Sequence, residues 1–475
     1  MAQAYGYLAA GVKKFFANPV QKYFFWTALV FGLLFCIVTP PFNVHDEDTH
    51  MYRAYQISRG DFVSNKIPGG LGGQIPASIV VDATDYRANY FGKNEKINTA
   101  RFHKDWNAPL KASDTVPIHF ENTALYPPVA YAPQAITIRI LSHFDLSPLK
   151  LLYISRIATF LVWLILASLA VYFMPTKKIL LAGILLLPMS MFLAGSISAD
   201  ALSNGLAALT VAYYLAAIVS PEKKIGWRQA ALMVLMSVLL GLVKQPYWLV
   251  GLLSVLLPSQ KFASKRDEVI KKTLIIGALI IVAGTWIILS KHIFAPYRHD
   301  VVIDPNGQLS FVFSHPLTFI RTLWNTYVTA NGSGFIREFV GVLGAGMLQL
   351  PVWVNYLTIL SLSWYALAPD KRFPSITHRT KSVFVIIAVI FAGAVSLLLY
   401  TNWTPVGEEK IEGLQGRYYL PIAMVLIPAF INVDRLRVKE GRLTKPAFGV
   451  MILVLTTAII CSVQFNYQVL DRFLS

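Results

Sequence analysis

Pro40-Pro41-Phe42-Asn43-Val44-His45-Asp46-Glu47-Asp48-Thr49-His50-Met51-Tyr52-Arg53-Ala54-Tyr55 sets three carboxylates and two imidazoles directly behind an apolar run. That run, Tyr23 to Thr39, is long and apolar enough to span a bilayer, and the proline pair stops its helix at the water boundary. A second helix is expected from near Asp46 to Gly60. In it Asp46 and His50 are i,i+4 neighbours and Arg53 follows three residues later, so acid, imidazole and guanidinium share a face. Glu47 lies about 100° further round, beside His50. Acids at a helix N-terminus also serve as caps, and for Glu47 and Asp48 that role is an equal alternative. Such a concentration of charge behind an apolar run, in a chain poor in acids, reads as a functional site.

The composition explains why the placement matters. The chain has 475 residues, of which 55% are hydrophobic and 14% charged, with a mean hydropathy of +0.53. Those values exclude an ordinary soluble protein and define an all-α polytopic membrane protein. Lys and Arg number 42 against 25 Asp and Glu, a formal charge of +17. In a membrane protein this excess reports topology and contact with membrane lipids, and no basic run is arranged for nucleic acid. Cys36 and Cys461 fall in apolar segments and form no disulfide framework or metal pair. Lys13, Lys14 and Lys22 precede the first apolar run and no small-residue cleavage site follows it, so it reads as an uncleaved first helix.

About eleven spans are expected, within a range of 10–13: Tyr23 to Thr39, Leu149 to Met174, Ile179 to Ser196, Ala201 to Val219, Trp227 to Val243, Tyr247 to Leu257, Leu274 to Ile293, Val352 to Ala368, Val383 to Tyr400, Tyr418 to Ile431 and Phe448 to Val463. The whole chain, 1–475, reads as one membrane domain. A first extracytoplasmic loop over 40–148 carries surface helices, and a second large one covers 294–337. Tyr126-Pro127-Pro128 through Leu141 is apolar but broken by proline and carries Arg139; it reads as a surface helix, because counting it as a span inverts the charge bias of every later loop. Basic residues then gather on the side of the N-terminus: Lys177/Lys178, Lys223/Lys224/Arg228, Lys261/Lys265/Arg266/Lys271/Lys272, Lys371/Arg372/Arg379/Lys381 and Arg435/Arg437/Lys439/Arg442/Lys445. The positive-inside rule places that side in the cytoplasm and the acidic cluster outside a cytoplasmic (inner) membrane. Ser314-His315-Pro316 marks a helix start in the second loop, with Leu317, Ile320, Leu323 and Trp324 on one side. No Walker loop, dinucleotide fingerprint, HExxH or internal repeat is present.

Three further polar features fall on the outer side. Ile197-Ser198-Ala199-Asp200 delivers a carboxylate between two spans, Lys244-Gln245-Pro246-Tyr247 delivers a cation, and Gly413-Leu414-Gln415-Gly416-Arg417-Tyr418-Tyr419 sets an arginine between glycines and aromatics. Singly each has an ordinary explanation as helix cap, snorkelling lysine or interface anchor. Together with the acidic cluster they are polar groups from four separate loops at one membrane face, the pattern of a substrate site.

These blocks resemble domain-of-unknown-function family 2142. The resemblance is carried by Pro40-Pro41-Phe42 to Asp46-Glu47, His50, Arg53-Ala54-Tyr55, Tyr126-Pro127-Pro128, Ser198-Ala199-Asp200-Ala201-Leu202, Lys244-Gln245-Pro246-Tyr247 and Gln415-Gly416-Arg417-Tyr418-Tyr419-Leu420-Pro421, and implies a bacterial multi-pass membrane protein. A looser likeness is to the GT-C superfamily of membrane glycosyltransferases. It rests on a first span, an Asp-Glu pair just outside it, a long loop with surface helices and a Pro-Pro element, a helix beginning near an arginine (Arg156) and an acid in the second outer loop. That likeness implies Asp46 at the catalytic acid position with Asp200 as the second-loop acid. No cofactor motif is present. A divalent metal is left open, because His45-Asp46-Glu47-Asp48 comes near the Asp-x-Asp metal motif of the oligosaccharyltransferase branch without matching it.

The expected function is transfer of a sugar from a polyprenyl-phosphate-linked donor to a glycan or lipid acceptor of the cell envelope. Asp46, Glu47 and Asp200 are the candidate catalytic acids; His50, Arg53, Arg156, Lys244, Gln415, Arg417 and Tyr418 are the candidate substrate-binding groups. The donor phosphate needs cations and the acceptor hydroxyl needs a base, with Asp46 first in line. The alternatives are a transporter or flippase of lipid-linked glycans, a polymerase of them, and a non-catalytic membrane protein.

Overall fold

The computed structural model describes residues 13–88, 96–220, 224–291, 295–298, 300–330, 332–368, 376–431 and 440–467. Lys223, Lys371, Arg372, Arg435, Arg437 and Lys439, used above for orientation, lie outside the described residues, as does part of 294–337. Helix α1 (Pro19–Val38) starts where the Asn18 side chain accepts from the Val20 N–H and Pro19 takes the first turn, the residue types that fill those positions best. It stops just before Pro40-Pro41. The expected second helix forms as α2 (Glu47–Ser58), with Asp46 at its N-cap.

The stretch between α1 and the next long helix contains strand as well as helix. Strands β1 (Asn65–Ile67) and β2 (Gly70–Pro76) lead to α3 (Ala77–Ala88) and α4 (Thr99–Asn107), and β3 (Thr115–His119) closes an antiparallel sheet in the order β1-β2-β3. This sheet was not expected. Gly72 shows why its sequence carries glycine there: a Cβ would stand 1.9 Å from the Ile118 carbonyl oxygen on the facing strand, closer than any side chain tolerates. After α5 (Glu121–Ala124) and a 3-10 turn over Pro128–Tyr131, helix α6 (Ala132–Leu141) forms where a surface helix was expected. Its Ile136 and Ile140 are more than half exposed, whereas Gln134, Ala135 and Ile138 are buried.

The long helices follow: α7 (Pro148–Phe173), the short pair α8 (Lys178–Leu185) and α9 (Pro188–Ala194), α10 (Ala199–Val219), α11 (Trp227–Gly241) and α12 (Lys265–Lys291). Then come α13 (Pro305–Ser314), α14 (Pro316–Trp324), α15 (Gly332–Gly341), the two-stranded ribbon β4 (Val342–Leu343) and β5 (Leu348–Gln349), α16 (Val352–Leu367), α17 (His378–Asn402), α18 (Leu420–Leu426) and α19 (Glu440–Asn466). Among the described residues six helices are long and apolar enough to cross a membrane, namely α1, α7, α10, α12, α17 and α19. The other expected spans are shorter pieces. Trp227–Gly241, Tyr247–Leu256, Val352–Leu367 and Gly416–Phe430 are apolar but short, and Ile179 to Ser196 breaks at Pro188, which cannot donate to the preceding turn. The tenth expected span is likewise 3-10, α and 3-10 again across Gly416–Phe430.

Packing of the long helices is close where side chains are small. A Cβ on Gly32 of α1 would overlap the Phe160 ring of α7, and one on Gly205 of α10 would press on Leu166. Outward faces are apolar: Ile165, Ile281, Ile288, Leu360 and Val389 are all more than half exposed. Such surface is unfavourable against water and favourable against lipid tails. Helix α14 carries the expected stripe, with Leu317, Ile320 and Trp324 at least 60% exposed.

Candidate functional site

Asp46 is the N-cap of α2, yet its side chain makes no capping bond, and its backbone is left-handed at φ 57° and ψ 19°. That region is unfavourable for most side chains and tolerated best by Gly, Asn and Asp. The turn presents the carboxylate away from its own helix, and Oδ2 lies 3.3 Å from Nη2 of Arg417, 371 residues further along the chain. The Asp46 side chain is 37% exposed and that of Arg417 5%, so the acid is the open member of the pair and the guanidinium the covered one. Burial raises the Asp46 carboxyl, but Arg417 together with the nearby His50, His45 and Arg87 outweighs this and holds it below the usual carboxylate range. Asp46 is therefore ionised at neutral pH.

Arg417 is held there by backbone geometry. The Gly416 N–H donates to Glu338 of α15 at 2.6 Å, and a Cβ on Gly416 would stand 2.2 Å from the Phe335 carbonyl oxygen. Only glycine lets the turn lie this close to α15. Arg417 Nε and Nη1 are buried and have no hydrogen-bond partner among the described residues, and neither does Gln415 Oε1. Buried guanidinium nitrogens left unpaired are costly. Tyr418 lies beneath both cations of the site, with Arg417 Cζ 5.3 Å and Lys244 Nζ 5.0 Å from its ring centre.

Asp200 and Lys244 form a second ion pair. Asp200 sits in the first turn of α10, which Ser198 caps by accepting from the Asp200 N–H at 3.0 Å. Lys244 follows the end of α11, where a cation also complements the helix dipole, and its ammonium stands 5.5 Å from the Tyr126 ring centre. Burial lowers the Lys244 ammonium pKa, but Asp200 together with Tyr126, Tyr247 and Tyr418 outweighs it and the net shift is upward, so the lysine is a fixed cation.

The histidines are neutral. Burial and Arg417 push His45 down to about 3, and burial pushes His50 down to about 4. His50 Nδ1 lies 2.6 Å from the Tyr131 hydroxyl, while His45 Nδ1 is buried without a partner. The charge of the cluster is thus two acids against two cations.

Three expected site residues are used elsewhere. Glu47 is wholly buried against Arg156: Nε donates to Oε1 at 2.8 Å, and Oε1 also accepts from the Ile197 N–H at 3.2 Å. Arg156 donates further to the carbonyls of Thr39 and Pro40. This pair ties α1, α2, α7 and the α9–α10 turn together, and no surface of either side chain is open to a ligand. Arg53 donates to Gln56 and to the carbonyls of Phe62 and Tyr126, which braces the first loop and does not bring it to Asp46. Breaking the Glu47–Arg156 pair alone, by Arg156→Met, is expected to cost roughly 3–5 kcal/mol, whereas removing both charges by Glu47→Leu with Arg156→Met recovers most of that loss. Thermal unfolding in detergent checks this, and equal destabilisation by the single and double variants would contradict it.

Sequence reasoning missed Tyr126 and Tyr131 as site walls, although both stand in the proline-broken block, and missed Arg87 of α3, which pairs with Asp48 at 2.9 Å. Among the described residues no group of three or more His, Cys, Asp and Glu is placed to hold a metal ion. Asp46 and Asp200 instead face cations, so the donor set does not build the divalent site that the His45-Asp46-Glu47-Asp48 run left open.

A multi-helix chain with apolar outer surfaces and a cluster of charged side chains where its helices end is a polytopic membrane protein. It belongs to the family described as predicted membrane protein (DUF2142), whose model matches residues 29–426. No curated protein and no solved structure matches the chain.

Proposed function

We propose that the chain is an integral membrane glycosyltransferase that moves a sugar from a polyprenyl-phosphate-linked donor to a glycan or lipid acceptor at the extracytoplasmic face. The observation that carries this reading is Arg417: a buried guanidinium with two unpaired nitrogens beside an ionised, accessible carboxylate. An oxyanion satisfies such a guanidinium, and a phosphate headgroup at the membrane surface brings one.

The reaction then needs only groups already present. Asp46 accepts the proton of the acceptor hydroxyl, whose oxygen forms a bond to the anomeric carbon. The bond from that carbon to the phosphate oxygen breaks, and the phosphate leaves with the electron pair, stabilised by Arg417. Lys244, fixed by Asp200 and by the rings of Tyr126 and Tyr418, supplies the second positive charge. Single displacement inverts the anomeric configuration. The looser GT-C likeness is consistent with an acid just beyond the first span acting as the base.

Purified protein supplied with a polyprenyl-phosphate sugar and an envelope glycan acceptor is expected to release polyprenyl phosphate, and no release with any such donor would count against transfer. The reading also fixes a face. A cysteine at Ser113, an exposed position in the first loop, is expected to react with an impermeant maleimide in intact cells, and one at exposed Lys265 only after permeabilisation. The reverse pattern would place the site in the cytoplasm.

A further inference from the structure

Far from Asp46 the fold holds a cation that nothing answers. Asp200 opens α10 and Lys244 follows the end of α11, so Lys224 and Ile225, which lie between the two helices in sequence, stand at their other ends, about 30 Å away along the 21 residues of α10. The Ile225 N–H donates to the Lys261 carbonyl at 2.8 Å, Lys224 Nζ donates to the Gln260 carbonyl at 2.8 Å, and Lys271 Nζ of α12 donates to the Ile225 carbonyl at 2.7 Å. These bonds fix a corner between Lys224-Ile225, the 3-10 turn Ser259–Lys261 and the start of α12. The acids of α12 are spent within it: Asp267 pairs with Lys271, and Glu268 with Lys265 and Lys272. Lys261 has no such partner. It is 5% exposed, and its Nζ is buried without a hydrogen-bond partner among the described residues. Burial and the Lys224 charge both push its pKa down, and no carboxylate opposes them.

A covered ammonium without a bond is costly, and a bound anion removes that cost. The positive-inside bias does not account for it, because that bias needs only lysines in water. Lys261 lies just beneath the surface: Lys224, Gly226, Ser259, Gln260 and Ala263 around it are all exposed, so a ligand reaches it by moving surface side chains. Lys224 gives one of its three ammonium hydrogens to Gln260 and keeps two to donate. We propose that Lys261 and Lys224 together bind the phosphodiester of an anionic phospholipid. Two cations that no acid among the described residues answers favour an anionic headgroup over a zwitterionic one, whose own ammonium they repel. The apolar surface beside them points to a lipid as the source of the phosphate. Trp227, Val255 and Val269 are at least half exposed, and the Trp227 ring lies 5.1 Å from Lys271 Nζ, so acyl chains have residues to cover where the cations meet the headgroup. This site is independent of sugar transfer.

Phosphatidylglycerol binding, titrated by native mass spectrometry on the purified protein in neutral detergent, tests this. Lys261→Met, close in length and without charge, is expected to bind the lipid about ten- to a hundredfold more weakly, the worth of a charge-assisted hydrogen bond. Lys224→Gln, at an exposed position, is expected to weaken binding in the same direction and carries the test should Lys261→Met fail to fold. Lys445→Gln, an exposed lysine in the first turns of α19, is expected to bind as wild type does. Without lipid, Lys261→Met is expected to unfold at or above the wild-type temperature, since it removes an unbonded ammonium; a clearly lower temperature would show that the lysine is already satisfied and defeat the proposal. Equal affinity in wild type and both corner variants would overturn the site, and equal weakening by Lys445→Gln would assign the lipid to the basic side as a whole and overturn it too. Phosphatidylethanolamine bound as tightly as phosphatidylglycerol would remove the selection for an anionic headgroup. Inorganic phosphate bound with the same affinity and lost in the same variants would overturn the lipid as the source.

Discussion

Asp46→Asn is expected to lower sugar transfer by about 10²- to 10⁴-fold, the usual contribution of a general base, with expression and folding intact. The amide keeps the size of the side chain and is at home at φ 57°, but it cannot take a proton. Among the carboxylates of the stretch Asp46 is the one so placed. Glu47 is sealed against Arg156, Asp48 is paired with Arg87, and Asp200 is spent on Lys244. Turnover of a polyprenyl-phosphate sugar by the purified variant checks this. Near-normal turnover would move the base to Asp200 and leave Asp46 as a partner of Arg417 only.

Arg417→Ala is expected to cost about 10²- to 10³-fold in turnover, comparable to the loss of one preorganised donor at a developing oxyanion. It also leaves Asp46 without its cation. Arg417→Lys separates two roles. An interface anchor tolerates lysine, whereas a planar grip on phosphate does not, because lysine keeps the charge and loses the parallel donors. The lysine variant is therefore expected to fold normally and turn over at least about tenfold more slowly. Full activity in Arg417→Lys would pass the phosphate to Lys244 and reduce Arg417 to a structural cation. Gly416→Ala is not a useful probe of the same point, since its Cβ collides with the backbone of α15.

What could be read from the sequence was the placement of charge against apolar runs. Asp46, Asp200, Lys244 and Arg417 each stand where an apolar segment begins or ends, and polar groups that interrupt such segments are visible without coordinates. Their convergence could be argued from topology because antiparallel spans return alternate loops to one face. The division of labour among the carboxylates was not visible. Asp46 and Glu47 differ by one position, and their fates are decided by Arg417 and Arg156, which lie 371 and 109 residues away in sequence. Arg53 shows the same limit: helical spacing set it near His50, but its donors are consumed by carbonyls of the first loop.

The three-stranded sheet was hidden for a different reason. Gly70-Leu71-Gly72-Gly73 lacks the alternation that marks a half-buried strand, and Gly72 is required by the close approach of the β3 backbone rather than by a turn. The spans were legible where a helix is long and continuous, as in α7 and α10. They were less so where proline breaks a run, as at Pro188, or where 3-10 geometry replaces the α-helix, as over Tyr247–Leu256. Hydropathy reports the apolar length and is silent on the hydrogen-bond pattern within it.

The most direct test is a structure of the protein with polyprenyl phosphate bound. The phosphate is expected within about 3 Å of the Arg417 guanidinium nitrogens, with the Asp46 carboxylate beside it and open to the acceptor. A phosphate bound away from Arg417 would contradict this.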